Sequence, residues 1–545
     1  MRLPNWRKGN PVMSLRGMIA TANPLASATG LHILMKGGNA VDAAIATAAV
    51  LGVVMPEACG LGGDAFMIIF EARSGRLTAI NGSGAAPMAA TREYFLNQGM
   101  SLMPSDGLLS ATVPGALDAY TTALEKFGTM ELKDLLKPAI GYAEEGFPVS
   151  RRLSKALKTG FGKLARHPSS ASIFLPGGRA LEPGERLVQK ALGKTLRLIA
   201  DGGRDAFYRG EIAEAIAGFS EANGGLFSKE DFARHRSMVY EPLRTTYRGY
   251  EIFETAPPSQ GAILLEELNI IEGFDLSKMG FYSAEAIHLM VEAKKLAFED
   301  RLRYLGDPTF VKLPINQILS KERALDLRGR IDPNKAASKP LEAPPLASGA
   351  LADSTTSFVV VDEEGNAVSF IQSIFAAWGS GVVAGETGII LNNRGSAFSL
   401  EPSSPNCLEP GKRPMHTLNA YAILKDGELF AVGGTPGGDN QVQWNFQVIA
   451  NLLDFGMNPQ EAASAPRWSS FPGTQPSDAK MPYRLTVERP VRDEVVEGLR
   501  RRGHRVRIVP EGAGGGAVQL ILIEAKTGIR LAGTDPRAQG LAAGY

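Results

Sequence analysis

Two cysteines in 545 residues, Cys59 and Cys407, are too few and too far apart for a disulfide framework. Neither has a CxxC or Cys/His spacing that would hold zinc, so both are expected as buried thiols. Charge of one sign is also lacking: 58 Lys and Arg against 57 Asp and Glu leave a formal net charge of +1. No field therefore draws the chain to nucleic acid or an anionic membrane, and a small-molecule partner is expected. No stretch reaches about 18 uninterrupted apolar residues, and the first ten residues carry positive charge without the apolar core of a signal peptide. A cytoplasmic location is the expectation. The six histidines, His32, His167, His235, His288, His416 and His504, show no pairing in sequence. No HExxH, nucleophile-elbow or EF-hand spacing occurs, so neither a metal nor a cofactor is expected. What the chain does have is apolar material, 44% of its residues. At this length that is enough to bury about three quarters of the unfolded surface without staples.

The order of elements follows from periodicity and punctuation. A helix is read over 27–35, closed by Lys36-Gly37-Gly38, and Asn39 is placed as the N-cap of a thin, alanine-rich and therefore buried helix over 40–54. The turn Cys59-Gly-Leu-Gly-Gly-Asp64 feeds a strand over 65–71, whose hairpin mate is 77–80. Helices are expected over 133–146, 186–202 and 283–304, with a β patch over 245–256 ending in Pro257-Pro258-Ser259-Gln260-Gly261. The stretch 334–353 holds Pro340, Pro344 and Pro345 among small residues and reads as an exposed, mobile connector. Beyond it strands are read over 359–361, 367–374, 388–391, 420–424, 430–432, 485–488, 505–509 and 518–524, with helices over 445–455 and 491–502. Strands thus fall largely after residue 354. Two glycine motifs fail in context. Gly193-Lys194-Thr195 lies in a helical pattern and lacks the earlier glycine of a phosphate loop, and 512–516 precedes a strand where a dinucleotide fingerprint would join strand to helix.

The informative stretch is Asp353-Ser-Thr-Thr-Ser-Phe-Val-Val-Val-Asp362. If Glu363-Glu364-Gly365 is a three-residue hairpin loop with Gly365 left-handed, Asp362 pairs with Asn366 and Thr355 lies opposite Ser373. Side chains alternate with period two, so Thr355, Ser357 and Val359 share a face with Ser373, Ile371 and Ala367. On these residues alone a cross-strand hydroxyl pair is the reading preferred over catalysis. A second feature is Gly433-Gly-Thr-Pro-Gly-Gly-Asp439, between a strand and a helix, where the N–H groups of Gly437 and Gly438 would suit an oxyanion hole. The alternative there is a turn that needs glycine only for φ > 0.

With these residues in view the chain resembles the γ-glutamyltranspeptidase family of N-terminal-nucleophile hydrolases. The similar segments are Gly37-Gly-Asn-Ala-Val-Asp-Ala-Ala44, Gly60-Leu-Gly-Gly63, Thr355-Thr356, Gly385-Glu-Thr-Gly-Ile-Ile-Leu-Asn-Asn393, Lys412-Arg-Pro414, Pro436-Gly-Gly438, Asp535-Pro-Arg537 and Ala543-Gly-Tyr545. The resemblance implies an α+β fold, a four-layer αββα sandwich, made as an inactive precursor. Cleavage between Ser354 and Thr355 would give a large chain, 1–354, and a small chain, 355–545, that stay together as one globular unit. It leaves room for a homodimer of such heterodimers. Thr355 would be the nucleophile, its freed α-amino group the base, Ser373 the group that orients the amine, and Gly437 and Gly438 the oxyanion donors.

The pattern departs from the family where substrate is recognised. The position of an arginine that holds a γ-glutamyl α-carboxylate is Ser83, and acidic residues that hold the α-amino group are replaced by Arg394-Gly-Ser-Ala397. Paired serines become His416-Thr417. These pocket motifs look more like the oxamate amidohydrolase branch, with Asn392-Asn-Arg-Gly395, Met415-His-Thr417 and Gly437-Gly-Asp439 as counterparts. Arg394, with His416, Thr417 and Asp439, is therefore expected to bind a small amide that carries a carboxylate. The structural alternative for Arg394 is an ion pair with Asp439 or Glu386. Two other functions are weighed: γ-glutamyl transfer or hydrolysis on glutathione-like substrates, and an unprocessed, non-catalytic scaffold.

Overall fold

The computed structural model describes residues 9–338, 355–473 and 481–545. Residues 339–353 of the connector and Ser354 lie outside the described residues. Two seven-stranded sheets dominate. One runs, in spatial order, Leu541–Gly544, Met18–Thr21, Thr355–Val361, Ala367–Ser373, Asp64–Glu71, Arg76–Asn81 and Met238–Tyr240. The other runs Val12–Ser14, Arg530–Thr534, Gln519–Ile523, Glu428–Gly434, Tyr421–Lys425, Tyr250–Glu254 and Leu243–Tyr247.

Alternation along the strands assigns each face. In the first sheet Phe358, Val360, Val368, Phe370, Met67 and Ile69 pack on a helical layer that includes Pro24–Met35, Ala40–Val54, Ala116–Phe127 and Leu132–Glu145. The intervening residues Val359, Val361, Ile371, Phe66 and Ile68 face the second sheet and meet Ala420, Ala422, Val432 and Ile521. The outer face of the second sheet, with Ile252, Tyr421, Ile423, Ala431 and Leu520, packs on Gly261–Ile271, Ala284–Tyr304 and Asn440–Leu453. The order of layers is αββα, as the resemblance implies. Strands covered on both faces have no polar side, which is why residues 65–70 and 358–361 read as unbroken apolar runs.

The hairpin register is the one expected: Thr355 pairs with Ser373 and Val361 with Ala367, and Gly365 has φ 88°. Asn39 caps Ala40–Val54 through a capping box with Asp42. The Gly193-Lys194-Thr195 segment lies inside the helix Lys190–Tyr208, and both cysteines are buried free thiols. Three readings need correction. The helix expected from 186 begins at Lys190, because Arg186–Leu187 pairs with Phe147–Pro148. Residues 388–391 form no strand: Leu391 N–H bonds to Val382 and Asn392 N–H to Gly62, leaving one isolated bridge between Val383 and Ile390. Strands are not concentrated after 354 either, since seven of the fourteen in the two sheets precede it.

Candidate active site

Thr355, Ser373 and Asp64 stand side by side on three adjacent antiparallel strands, because Thr355 registers with Ser373 and Ser373 with Asp64. Directly opposed residues project to the same face. That face is the one between the two sheets, so all three polar groups sit at one end of an apolar seam. Thr355 Oγ1 donates to Ser373 Oγ at 2.9 Å, and Ser373 Oγ also accepts the Phe375 N–H at 2.8 Å. The glycines before Asp64 allow this approach, since a Cβ on Gly63 would collide with the Ser373 carbonyl.

Asp64 is wholly buried and fully engaged. Its Oδ1 accepts the Gly84 N–H at 2.9 Å, while Oδ2 accepts His416 Nε2–H at 3.0 Å and faces Arg394 Nε at 3.4 Å. His416 Nδ1 accepts the Leu418 N–H, which fixes the hydrogen on Nε2. Burial would raise the Asp64 carboxyl, but the His416 hydrogen bond, the Arg394 charge and the Gly84 N–H outweigh it and hold it below its ordinary value. Burial, reinforced by the Arg394 charge, pushes the His416 imidazole down to about 4, so it is neutral near pH 7 and supports Asp64 as a hydrogen-bond donor. Arg394 is lowered to about 10 by burial against the pull of Asp64 and remains charged.

Arg394 is thus paired with Asp64, not with Asp439 or Glu386. Its guanidinium lies 4.2 Å from the Phe375 ring centroid, and its Nη1 donates to Thr417 Oγ1 at 3.3 Å. Nη2 is buried and reaches no hydrogen-bond partner among the described residues. Phe375 holds this position in a left-handed backbone, φ 79°, an unusual state for a bulky residue. Asn392 braces the loop from below: its Oδ1 accepts the N–H groups of Thr112 and Arg394, and its Nδ2 donates to Gly62 and Thr112 carbonyls.

The second glycine turn lies between the strand Glu428–Gly434 and the helix Asn440–Leu453, as read from sequence. Gly437 and Gly438 have φ 146° and 55°, and neither N–H donates to an acceptor among the described residues. Their carbonyls are occupied. Gly437 O accepts the Asn440 N–H, and Gly438 O accepts the Gln441 N–H and Gln260 Nε2. Gln260 Nε2 also donates to Thr417 O at 2.6 Å. Contacts therefore run from Thr355 through Ser373 and the strand register to Asp64, Arg394, Thr417, Gln260 and Gly438. Asp439 pairs with Arg301 Nη2.

Sequence reasoning missed Asp64, Phe375 and Gln260. Asp64 had a signal: a lone carboxylate opening an otherwise apolar strand must find a buried partner. Among the described residues one group has the makings of a metal site, His288, Glu292 and His504. There the imidazoles bond to each other at 2.8 Å and Glu292 pairs with Lys295 at 2.7 Å, so the group is satisfied internally.

Comparison with known proteins assigns the chain to a family. A model of the gamma-glutamyltranspeptidase family matches residues 26–545. The chain is 39% identical to the Glutathione hydrolase-like YwrD proenzyme of Bacillus subtilis (strain 168), over 98% of this chain and 99% of that one. It is 36% identical to the Oxamate amidohydrolase proenzyme of Klebsiella pneumoniae subsp. pneumoniae, over the same shares of each. The crystal structure of cephalosporin acylase from Bacillus halodurans matches with a TM-score of 0.91 and 37% identity, covering 100% of this chain and 98% of that one. The protein belongs to the γ-glutamyltranspeptidase family and is a hydrolase of the N-terminal-nucleophile type.

Proposed function

We propose that Thr355 becomes the nucleophile once the chain cuts itself between Ser354 and Thr355, and that the enzyme hydrolyses a small amide bearing a carboxylate next to the scissile bond. A threonine hydroxyl is a weak nucleophile at neutral pH. The freed α-amino group, with an intrinsic pKa of about 7.7–8.0, supplies the missing base. Thr355 Oγ attacks the amide carbon, its proton passes to the amine, and the carbonyl oxygen takes its charge onto the Gly437 and Gly438 N–H groups. The amine returns the proton to the departing nitrogen. Water then attacks the ester by the same route and releases the acid.

The observation that carries the substrate class is Arg394, charged, buried, stacked on Phe375, paired with the Asp64 that registers with Ser373, and with Nη2 reaching no hydrogen-bond partner among the described residues. A carboxylate is the ligand that a guanidinium in this state accepts. Thr417 completes that wall, and His416 holds it indirectly through Asp64. An oxamate-like amide meets these demands, and one relative is named an oxamate amidohydrolase. A second reading, hydrolysis of a glutathione-like γ-glutamyl amide, is favoured by another relative, the glutathione hydrolase-like proenzyme of Bacillus subtilis.

On a denaturing gel the purified protein should separate into fragments 1–354 and 355–545, while Thr355→Ala stays as one band. Ammonia release from oxamate should exceed hydrolysis of a γ-glutamyl anilide, and Arg394→Met should raise KM for oxamate at least about tenfold, the equivalent of about 1.4 kcal/mol. An unchanged KM, or faster use of the anilide, overturns the carboxylate reading.

A further inference from the structure

The turn that presents Gly437 and Gly438 contributes glycine, which by itself holds no conformation. Something else must fix the direction of its N–H groups. The turn is held by two buried side chains from the outer helical layer that belong to no motif assigned above, one on a backbone carbonyl and one on the Asp439 carboxylate.

The first is Gln260, at the start of the helix Gly261–Ile271. It is wholly buried, and its single amide nitrogen donates to Gly438 O at 3.0 Å and Thr417 O at 2.6 Å. Both acceptors are carbonyls, so the amide cannot be turned over: its oxygen would face two oxygens. One NH2 group therefore ties the glycine turn to the residue that touches Arg394. The second is Arg301, on the helix Ala284–Tyr304, also wholly buried. Its Nη2 donates to Asp439 Oδ1. Asp439 is the N-cap residue of Asn440–Leu453, yet its side chain makes no capping hydrogen bond. In Ala40–Val54 and Pro459–Ser464, by contrast, the N-cap side chain accepts from the first-turn N–H groups. The Asp439 carboxylate accepts from Arg301 and makes no capping bond to the N–H groups of the turn.

We infer that Gln260 and Arg301 are positioning residues: together they aim the Gly437 and Gly438 N–H groups, and Gln260 alone also couples that aim to the carboxylate-binding wall through Thr417. The inference rests on the reading of Gly437 and Gly438 as oxyanion donors. Because an error of about 1 Å in such a group can cost about 100-fold in rate, the expected loss is about 10- to 100-fold in kcat. The two residues differ in what else they should move. Gln260→Leu releases both carbonyls and should lower kcat and raise KM for oxamate, whereas Arg301→Met should lower kcat with KM unchanged.

The experiment measures kcat and KM for oxamate in wild type, Gln260→Leu, Gln260→Asn, Arg301→Met, Arg301→Lys and Thr355→Ala. Arg301→Lys keeps the charge on Asp439 and should recover part of the lost kcat; Gln260→Asn is too short to span both carbonyls and should behave as Gln260→Leu. If either Leu or Met variant fails to accumulate, its Asn or Lys counterpart carries the measurement. Equal effects of the Gln260 and Arg301 variants on KM, or kcat within about twofold of wild type in both, overturn the inference. Turnover that survives in Thr355→Ala would instead overturn the underlying reading of the site, so the two failures are distinguishable.

Discussion

Asp64→Asn is the most exacting perturbation of this site, because the change is nearly isosteric and removes one charge. In the native protein Asp64 Oδ1 satisfies Gly84 N–H and Oδ2 serves both His416 Nε2–H and Arg394 Nε. An amide offers one acceptor and one donor group. If its oxygen keeps Gly84, its NH2 group meets two donors; if it turns over, Gly84 loses its acceptor. Either way Arg394 remains wholly buried without its counter-charge. Removing one partner of a buried ion pair costs about 3–5 kcal/mol, a large share of the 5–15 kcal/mol typical of a folded domain. The assay is urea unfolding at pH 7 in a Thr355→Ala background, which keeps the chain in one piece and the transition unimolecular. Asp64→Asn should lose about 3–5 kcal/mol, and adding Arg394→Met should restore much of it by removing the orphaned charge. Strict additivity of the two substitutions, or a loss below about 1 kcal/mol, would refute the claim that Asp64 serves as the counter-ion of Arg394.

His416 gives a pH signature. Its folded pKa of about 4 lies below the unfolded value of about 6.5, so the unfolded chain binds more protons between them; stability is full above about 6.5 and falls as pH drops toward 4. The loss should approach about 3 kcal/mol, and because His235 and His504 are also depressed, the measurement is the difference between wild type and His416→Gln across pH 4–7. A constant difference over that range would remove the neutral, Asp64-bound imidazole from the account. At the proposed oxyanion turn, a Cβ on Gly437 would strike the Trp444 ring and occupy φ 146°, so Gly437→Ala should lower kcat about 100-fold or more while leaving KM for oxamate within about twofold. Full activity in that variant would exclude the turn as the oxyanion site.

The parts of the site that were legible in the sequence are those set by local rules. A three-residue loop with a left-handed glycine fixes a register, so counting from Gly365 placed Thr355 against Ser373 before any tertiary contact was known. Asn39 announced its helix for the same reason, and the structure adds Asp42 as the other half of the capping box. Asp64 was invisible as a site residue because its place beside Ser373 depends on pairing Asp64–Glu71 with Ala367–Ser373, some 300 residues apart in sequence. Gln260 was hidden likewise, since a glutamine after two prolines reads as part of a turn until Gly438 and Thr417 are brought to it. Residues 388–391 misled in the opposite sense: their apolar, β-branched composition suits a strand, but their backbone is claimed by irregular loops.

The interleaving of the sheets bears on what a backbone cut ahead of Thr355 can and cannot do. In the first sheet Met18–Thr21, from before the cut, lies between Leu541–Gly544 and Thr355–Val361, from after it; in the second, Val12–Ser14 and Tyr250–Glu254 flank a block of four later strands. Neither piece owns a complete sheet or a complete core. Pulling them apart would strip ladder hydrogen bonds from both sheets and bare the apolar seam between them, so the severed halves are bound as tightly as two parts of one domain. Cleavage there would free a single α-amine while the architecture that aims it stays closed, and neither half is expected to persist as a folded protein without the other.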